Sequence, residues 1–385
     1  MSDTRAPNAK AIPSLDGIRA ISVLIVAVSH AGLGTFVPGG LGVTIFFFLS
    51  GYLITTLLLS EQYRTGKIDI PKFYARRVFR LMPPLLITLA IAYSLTSVGL
   101  LAGGITVKGV ASQLLYFANY YGLFFDPGHT IPDGTGILWS LAVEEHFYIF
   151  YPIILAVLLK IAFRPRSIAT VLGIACIAIL AWRILLVQAP NFDPTRTYYA
   201  SDTRIDSIIY GCILAIGMRP LGTSRRVGAM SLSQWSLFAT ALGALLLSLL
   251  IRETAFRETI RYSLQGIALM PLFYFAVRFP ENRLFRFLNM SWIMKVGTYS
   301  YVIYLMHLIV INVITQNGPA ISTKFYVLFP CAILISLVYA AAIDRFVDRY
   351  FRQLRLKYRP GSARASSRPI LQPGEVSALS SAVIK

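Results

Sequence analysis

The segment Leu15-Asp16-Gly17-Ile18-Arg19-Ala20 runs into an apolar stretch that reaches Ser29-His30. On a helix, eleven residues bring Arg19 and His30 within about 20° of one face and about 16 Å apart along the axis. An imidazole held there can take a proton as a general base. The alternative is an arginine snorkelling to lipid headgroups and a histidine bonding a neighbouring helix. Spacing alone leaves both open.

Four further clusters carry chemistry. In Lys72-Phe73-Tyr74-Ala75-Arg76-Arg77-Val78-Phe79-Arg80, Arg76 and Arg80 share a helical face with Arg77 beside them. Three guanidiniums suit phosphate groups, or simply a basic flank that sets topology. Trp139-Ser140-Leu141-Ala142-Val143-Glu144-Glu145-His146 puts two carboxylates and an imidazole at the start of an apolar run. Adjacent helical positions diverge by about 100°, so Glu144 and Glu145 cannot meet one partner equally. A structural ion pair is the rival reading there. Asp202 and Asp206 flank Arg204 in Ser201-Asp202-Thr203-Arg204-Ile205-Asp206-Ser207, as a self-satisfied cluster or an external acceptor pocket. His307 lies in the middle of an apolar helix, lining a cavity or bonding another helix, whereas His129 carries little signal.

The elements that hold these groups must cross a bilayer. The chain has 385 residues, 56% hydrophobic and 14% charged, against about 25% charged in a soluble domain. Apolar stretches of spanning length begin near Gly17, Gly40, Arg80, Ile137, Ser167, Ile205, Ser233, Tyr262, Ile293 and Phe325. The fold class expected is all-α integral membrane, a single bundle of about ten transmembrane helices. The one from Ile205 is short, and 110–125 competes with it as a span or an interfacial helix. A net charge of +19 raises nucleic acid as a partner. The distribution argues against it: 27 basic residues fall on one side of the ten-span reading and six on the other. That asymmetry predicts both termini in the cytoplasm. Three domains follow: a 1–14 cytoplasmic segment, a 15–345 transmembrane domain and a 346–385 basic tail expected to be disordered. Cys176, Cys212 and Cys331 all sit in apolar stretches, so neither a disulfide framework nor a metal is expected. The first apolar stretch contains Arg19 and lacks a clean cleavage signal, so it reads as a retained span. Turn signals at 126–128, 132–134 and 189–194 mark two external loops, 103–136 and 188–203.

Several of these segments, taken in order, resemble the bacterial membrane acyltransferase-3 family, which includes O-acetyltransferases of lipopolysaccharide and exopolysaccharide. Arg19 and His30 match its Arg-X10-His signature. Gly42-Val43-Thr44-Ile45-Phe46-Phe47-Phe48-Leu49-Ser50-Gly51-Tyr52-Leu53-Ile54 is similar to its second-span motif, and Phe73–Pro83 to its arginine motif. Trp139-Ser140-Leu141 with Glu144-Glu145 and Phe147-Tyr148 follows, then Arg204-Ile205-Asp206-Ser207, then Ser300-Tyr301 with Tyr304-Leu305 and His307. Thr44 stands where many members carry Asp, and His146 where most carry Gln. Only about 40 residues follow the expected last span, so the extracytoplasmic hydrolase-like domain that members often carry is not expected there.

The resemblance implies transfer of an acyl group, acetyl by default, from cytoplasmic acyl-CoA to a hydroxyl of an extracytoplasmic glycan, in the bacterial cytoplasmic membrane. Arg76, Arg77 and Arg80 are expected on the CoA phosphates. His30 is expected as base, with Arg19 beside it and Glu145 or Glu144 orienting the imidazole. Trp139, Ser140, Asp202, Arg204, Asp206, Tyr301 and His307 are the substrate-binding expectations. The expected partners are acyl-CoA, a carbohydrate acceptor and membrane lipids, without nucleic acid. Two rivals stand beside this reading: a transporter or flippase without transfer chemistry, and a non-enzymatic partner in a polysaccharide-export complex.

Overall fold

The computed structural model describes residues 12, 14–126, 128, 130–161, 164–218 and 230–358. The basic residues of 1–11, 219–226 and 359–385, and His129, lie outside them. Long helices are α1 (Leu15–Val28), α2 (Gly39–Thr65), α3 (Ile70–Ser97), α6 (Leu138–Lys160) and α7 (Pro165–Val187). Between α3 and α6 stand the short α4 (Val107–Leu114) and α5 (Ala118–Phe124). After α7 come α8 (Pro194–Tyr199), α9 (Ser201–Arg204), α10 (Asp206–Met218), α11 (Leu232–Leu250), α12 (Thr254–Glu258) and α13 (Ile260–Arg278). The chain finishes with α14 (Arg283–Arg286), α15 (Ser291–Asn317), α16 (Phe325–Ile343) and α17 (Arg349–Lys357). The described residues hold no strand beyond an isolated bridge of Gly103 with Pro132.

Nine helices among the described residues are long and apolar enough to cross a membrane, and the shorter α10 makes a tenth apolar element. The protein is therefore an all-α integral membrane protein. At 7–8 residues, α4 and α5 rise only about 10–12 Å and cannot span. They form the 103–136 segment as two short helices joined by turns. α10 has 13 residues and is buried nearly all round, as a helix without a polar face must be. Its backbone lies against α2. A Cβ on Gly211 would overlap the Phe48 carbonyl, and one on Gly51 would overlap that of Ile208. Small residues permit this approach, and packing holds helices together in lipid. Gly17 of α1 does the same against the Leu288 backbone just ahead of α15, and Gly297 of α15 against the Asp16 backbone of α1.

The last span does not stop at 345. A π-turn at Asp344–Asp348 leads into α17, which folds against α3 through Phe351 and Tyr358 around Phe79. Residues 346–357, placed in the tail by the sequence reading, are thus helical. Cys176 and Cys212 are buried, whereas Cys331 is exposed on α16.

Candidate functional site

A cavity of about 220 Å³ opens between α1, α2, α3, α6 and α15. Its lining includes Arg19 from α1 and Arg77 and Arg80 from α3. The i, i+3 spacing puts Arg77 and Arg80 on one face. Arg76, one position away, points elsewhere. Its Nη2 meets Glu61 Oε2 at 3.0 Å and its Nη1 donates to the Tyr358 carbonyl at 2.7 Å. Glu61, 3% exposed, also accepts the Asp69 N–H at 3.1 Å. Arg76 therefore ties α2, α3 and the end of α17 together, and only two of the three expected α3 arginines line the cavity.

Arg77 is held tightly. Its guanidinium carbon lies 3.2 Å from the centroid of the Tyr148 ring, and Nη2 is 3.7 Å from Glu145 Oε1. Its buried Nε has no hydrogen-bond partner. Glu144 lines the cavity and accepts the Tyr148 hydroxyl at 3.2 Å. The predicted divergence of the two glutamates is thus seen: Glu144 faces the cavity and Glu145 faces Arg77. Arg19 stays near Asp16, with 3.5 Å between Nη1 and Oδ1. Arg80 is exposed at the rim.

Two hydroxyl side chains also line the cavity. Ser140 Oγ and Tyr304 Oη are 2.7 Å apart, and both lie within hydrogen-bond distance of the Ile137 carbonyl, at 3.1 and 3.2 Å. Phe46 meets Tyr304 edge-on with ring centroids 6.2 Å apart. Tyr301 also lines the cavity, and its hydroxyl donates to the Leu81 carbonyl at 2.9 Å.

One turn of α15 beyond Tyr304, the two histidines meet. His30 Nδ1 is 2.9 Å from His307 Nε2. The rings are 8° from parallel. Face-to-face rings sit about 3.5 Å apart, so the shorter approach is an edge-to-edge hydrogen bond and not stacking. His30 lies in a π-turn, Ser29–Leu33, that is kinked at Gly32 with φ 113°. Such bulges re-aim a side chain within a helix. His30 is half-buried and His307 fully buried. Neither glutamate of α6 has a hydrogen bond to His30 among the described residues. The side chain within hydrogen-bond distance of His30 is His307 and not one of these glutamates.

The 201–207 cluster resolves into separate contacts. Asp206 pairs with Arg183 at 2.7 Å, both fully buried, and Arg183 also donates to the Thr203 and Thr259 carbonyls. Asp202 is gripped by Arg196 through both oxygens, by Trp182 Nε1 at 2.8 Å and by the Tyr120 hydroxyl at 3.2 Å. Burial alone would raise the Asp202 pKa. The Arg196 and Trp182 hydrogen bonds outweigh it and hold the carboxyl below its ordinary value. Arg204 bonds neither aspartate. It is fully buried, donates from Nη2 to Thr44 Oγ1 at 3.1 Å, and leaves Nε and Nη1 without partners. Tyr262, Tyr198, Phe47 and Trp139 ring it at 4.0, 5.4, 5.6 and 5.9 Å. Trp139 in turn packs on Tyr198 and Tyr199, with centroids 5.0 Å away in each case. His146 Nδ1 lies 2.6 Å from Ser201 Oγ, which also accepts from Asn119 at 3.0 Å.

Residues given no role by the sequence also shape the site. Tyr304 lines the cavity, Tyr148 carries Arg77, and Glu61 draws Arg76 away. The stripe Ser300, Tyr301, Tyr304, His307 at helical spacing was the available signal for Tyr304. Glu61 was a lone acid in a basic stretch, with nothing in the sequence to assign its partner.

Residues 12–345 match the family model described as an acyltransferase domain. Among curated proteins, the O-acetyltransferase OatA of Staphylococcus aureus (strain COL) is 30% identical over 357 residues, covering 90% of this chain and 58% of that protein. A putative O-acetyltransferase of the same strain is 29% identical over 365 residues, covering 92% of this chain and 59% of its own length. The chain thus spans about three fifths of the length of these relatives. No solved structure matches it significantly.

Proposed function

Because the chain belongs to the family defined by that acyltransferase domain, we propose that it is a membrane O-acyltransferase that moves an acyl group, acetyl by default, from acyl-CoA to a hydroxyl of an extracytoplasmic glycan. The observation that carries this reading is one cavity whose lining includes Arg19, Arg77 and Arg80 as well as Tyr304, one helical turn from the His30–His307 pair. Guanidiniums in the lining suit the phosphates of CoA. A narrow cavity between helices suits the pantetheine arm. A half-buried imidazole one turn beyond Tyr304 suits a general base. The charge asymmetry of the sequence supports an orientation with the arginine end and both termini in the cytoplasm, where CoA is found, and with the loop side at 188–203 toward the acceptor.

In this reading His30 takes the proton of the acceptor hydroxyl. The hydroxyl oxygen bonds to the acyl carbon, the carbon–sulfur bond breaks, and the proton returns to the departing thiolate of CoA. Ser140 and Tyr304 must part or turn for the thioester to reach that oxygen. The names of the relatives, both O-acetyltransferases, support an acetyl donor and a hydroxyl acceptor. The acceptor class, a surface polysaccharide in a bacterial cytoplasmic membrane, rests on the resemblance.

The test is genetic and chemical. Wild type and His30→Ala are expressed at matched levels in a strain lacking the gene, and ester-linked acyl groups on surface glycans are measured by mass spectrometry. Wild type should restore acylation and His30→Ala should not. Full acylation by the variant would remove His30 from the chemistry. Equal acylation with and without the gene would remove the glycan as acceptor.

A further inference from the structure

The geometry points to His307 as the positioning residue that fixes the proton on His30. The Nδ1 atom of His307 lies 2.8 Å from the Tyr304 carbonyl and 3.1 Å from that of Ile303. A carbonyl only accepts, so His307 Nδ1 carries the hydrogen. In neutral His307, Nε2 is then a bare acceptor. The 2.9 Å contact to His30 Nδ1 is therefore a bond in which His30 donates. The hydrogen of neutral His30 is placed on Nδ1, and its Nε2 keeps the lone pair. One ring nitrogen of His30 is thereby reserved for accepting a proton.

The backbone of α15 does this work. Both carbonyls belong to its turn 303–304, which is buried and already ordered by packing. His307 is fully buried, so its Nδ1 has no water to turn towards. A neutral acceptor stands in this site where a carboxylate is common in other histidine catalysts. When His30 gains its second proton, Nδ1–H still points at His307 Nε2. The new positive charge is then met by a chain of dipoles ending at two backbone carbonyls. No charge has to be buried in the resting protein, which suits a site inside a bilayer.

The catalytic part of this role rests on the acyl-transfer reading, whereas the proton placement does not, and the experiment separates the two. The full-length chain has four histidines, so 15N-histidine NMR of the purified protein in nanodiscs gives few imidazole signals. His30→Gln and His307→Gln spectra assign the pair. Wild type should show both rings protonated at Nδ1 and bare at Nε2. A His30 protonated at Nε2 overturns the proposal before any substrate is added. Thiol release from acetyl-CoA is then followed in membranes that contain the parent strain's glycans. His307→Ala should lower kcat by roughly 10–100-fold with an unchanged KM for acetyl-CoA. His307→Gln should recover most of that loss, because its carboxamide oxygen accepts from His30 Nδ1–H. Full activity in His307→Ala, or His307→Gln as slow as His307→Ala while His30 keeps its Nδ1–H form, overturns the role. If His307→Ala does not fold, the wild-type spectrum and the glutamine variant still decide. The predicted spectrum in a protein that releases no thiol would sink the acyl-transfer reading and leave this contact standing.

Discussion

Removing the guanidinium of Arg80 should raise the KM for acetyl-CoA about tenfold, the loss of one charge-assisted hydrogen bond to a phosphate. Its neighbour Arg76 should behave differently. Arg76→Ala frees the buried Glu61 carboxylate and detaches the Tyr358 carbonyl. The folded yield and thermal midpoint should fall while the KM of surviving protein stays the same. Steady-state kinetics beside a melting curve checks both, and a raised KM in Arg76→Ala would put that side chain back among the donor-binding arginines. This difference was not legible in the sequence. Arg76, Arg77 and Arg80 read there as one cluster, because helical spacing makes 76 and 80 as good a pair as 77 and 80. What separates them is a single acid on another helix, Glu61, whose approach depends on tertiary packing. His30 was legible as a base candidate, since its chemical type and its spacing from Arg19 both pointed to it. Its partner was not. Nothing local relates position 30 to position 307, and the two glutamates looked nearer in kind to a usual orienting group.

Helices were legible where a long apolar run decided them, and the short apolar stretch expected from Ile205 is found as α10. α10 is short because it is enclosed on all sides, and its backbone approach to α2 leaves no space for a Cβ. Gly211→Ala should therefore cost roughly 1–3 kcal/mol as overpacking, seen as a lower midpoint without a change in KM. A midpoint equal to wild type would mean that α2 and α10 can separate freely. Arg204, at the end of α9, is held by α2 together with residues of α6, α8 and α13. With Nε and Nη1 unpartnered, its charge depends on four aromatic faces and the Thr44 hydroxyl. Thr44→Asp would give it a carboxylate in place of a hydroxyl, a stronger bond, and should raise the midpoint by roughly 2–4 °C. A lower midpoint would show that the space admits no second charge. On the loop side, α9 is clamped to α8 through Asp202. Its carboxyl is held below the ordinary value, so the stabilisation is present above about pH 3.9 and lost as pH falls through the lower folded value. The protection factors of amides in 188–203, meaning exchange rates divided out by the intrinsic pH dependence, should fall in that acid range in wild type and show no such fall in Asp202→Asn. Unchanged protection in wild type would mean that other contacts hold the loop.

At the scale of the molecule, the proposal depends on which way the bundle faces, and the contacts within it do not depend on that at all. A helix bundle has the same internal geometry in either orientation. Orientation is set by the loops, where basic residues resist translocation, and so the sequence carries this information more directly than the fold. In the proposed orientation the arginine end of the cavity shares its side of the bundle with the α2–α3 turn at 65–69, while the 188–203 loop belongs to the other side. Two single-cysteine proteins separate these surfaces after Cys176, Cys212 and Cys331 are replaced by alanine. Thr65→Cys stands in the exposed α2–α3 turn, and Asn191→Cys stands in the exposed loop before α8. A membrane-impermeant maleimide added to intact spheroplasts should label position 191 and leave position 65 unlabelled until the membrane is opened. The opposite pattern would place Arg77 and Arg80 outside, away from the cytoplasmic CoA pool, and the donor assignment would fall even if His30 proved essential. The predicted pattern would make the distance from Arg19 to His30, about 16 Å along one helix, a path from the cytoplasmic face toward the middle of the bilayer. An acyl group on an extended pantetheine arm could then meet an acceptor hydroxyl without either substrate crossing the membrane.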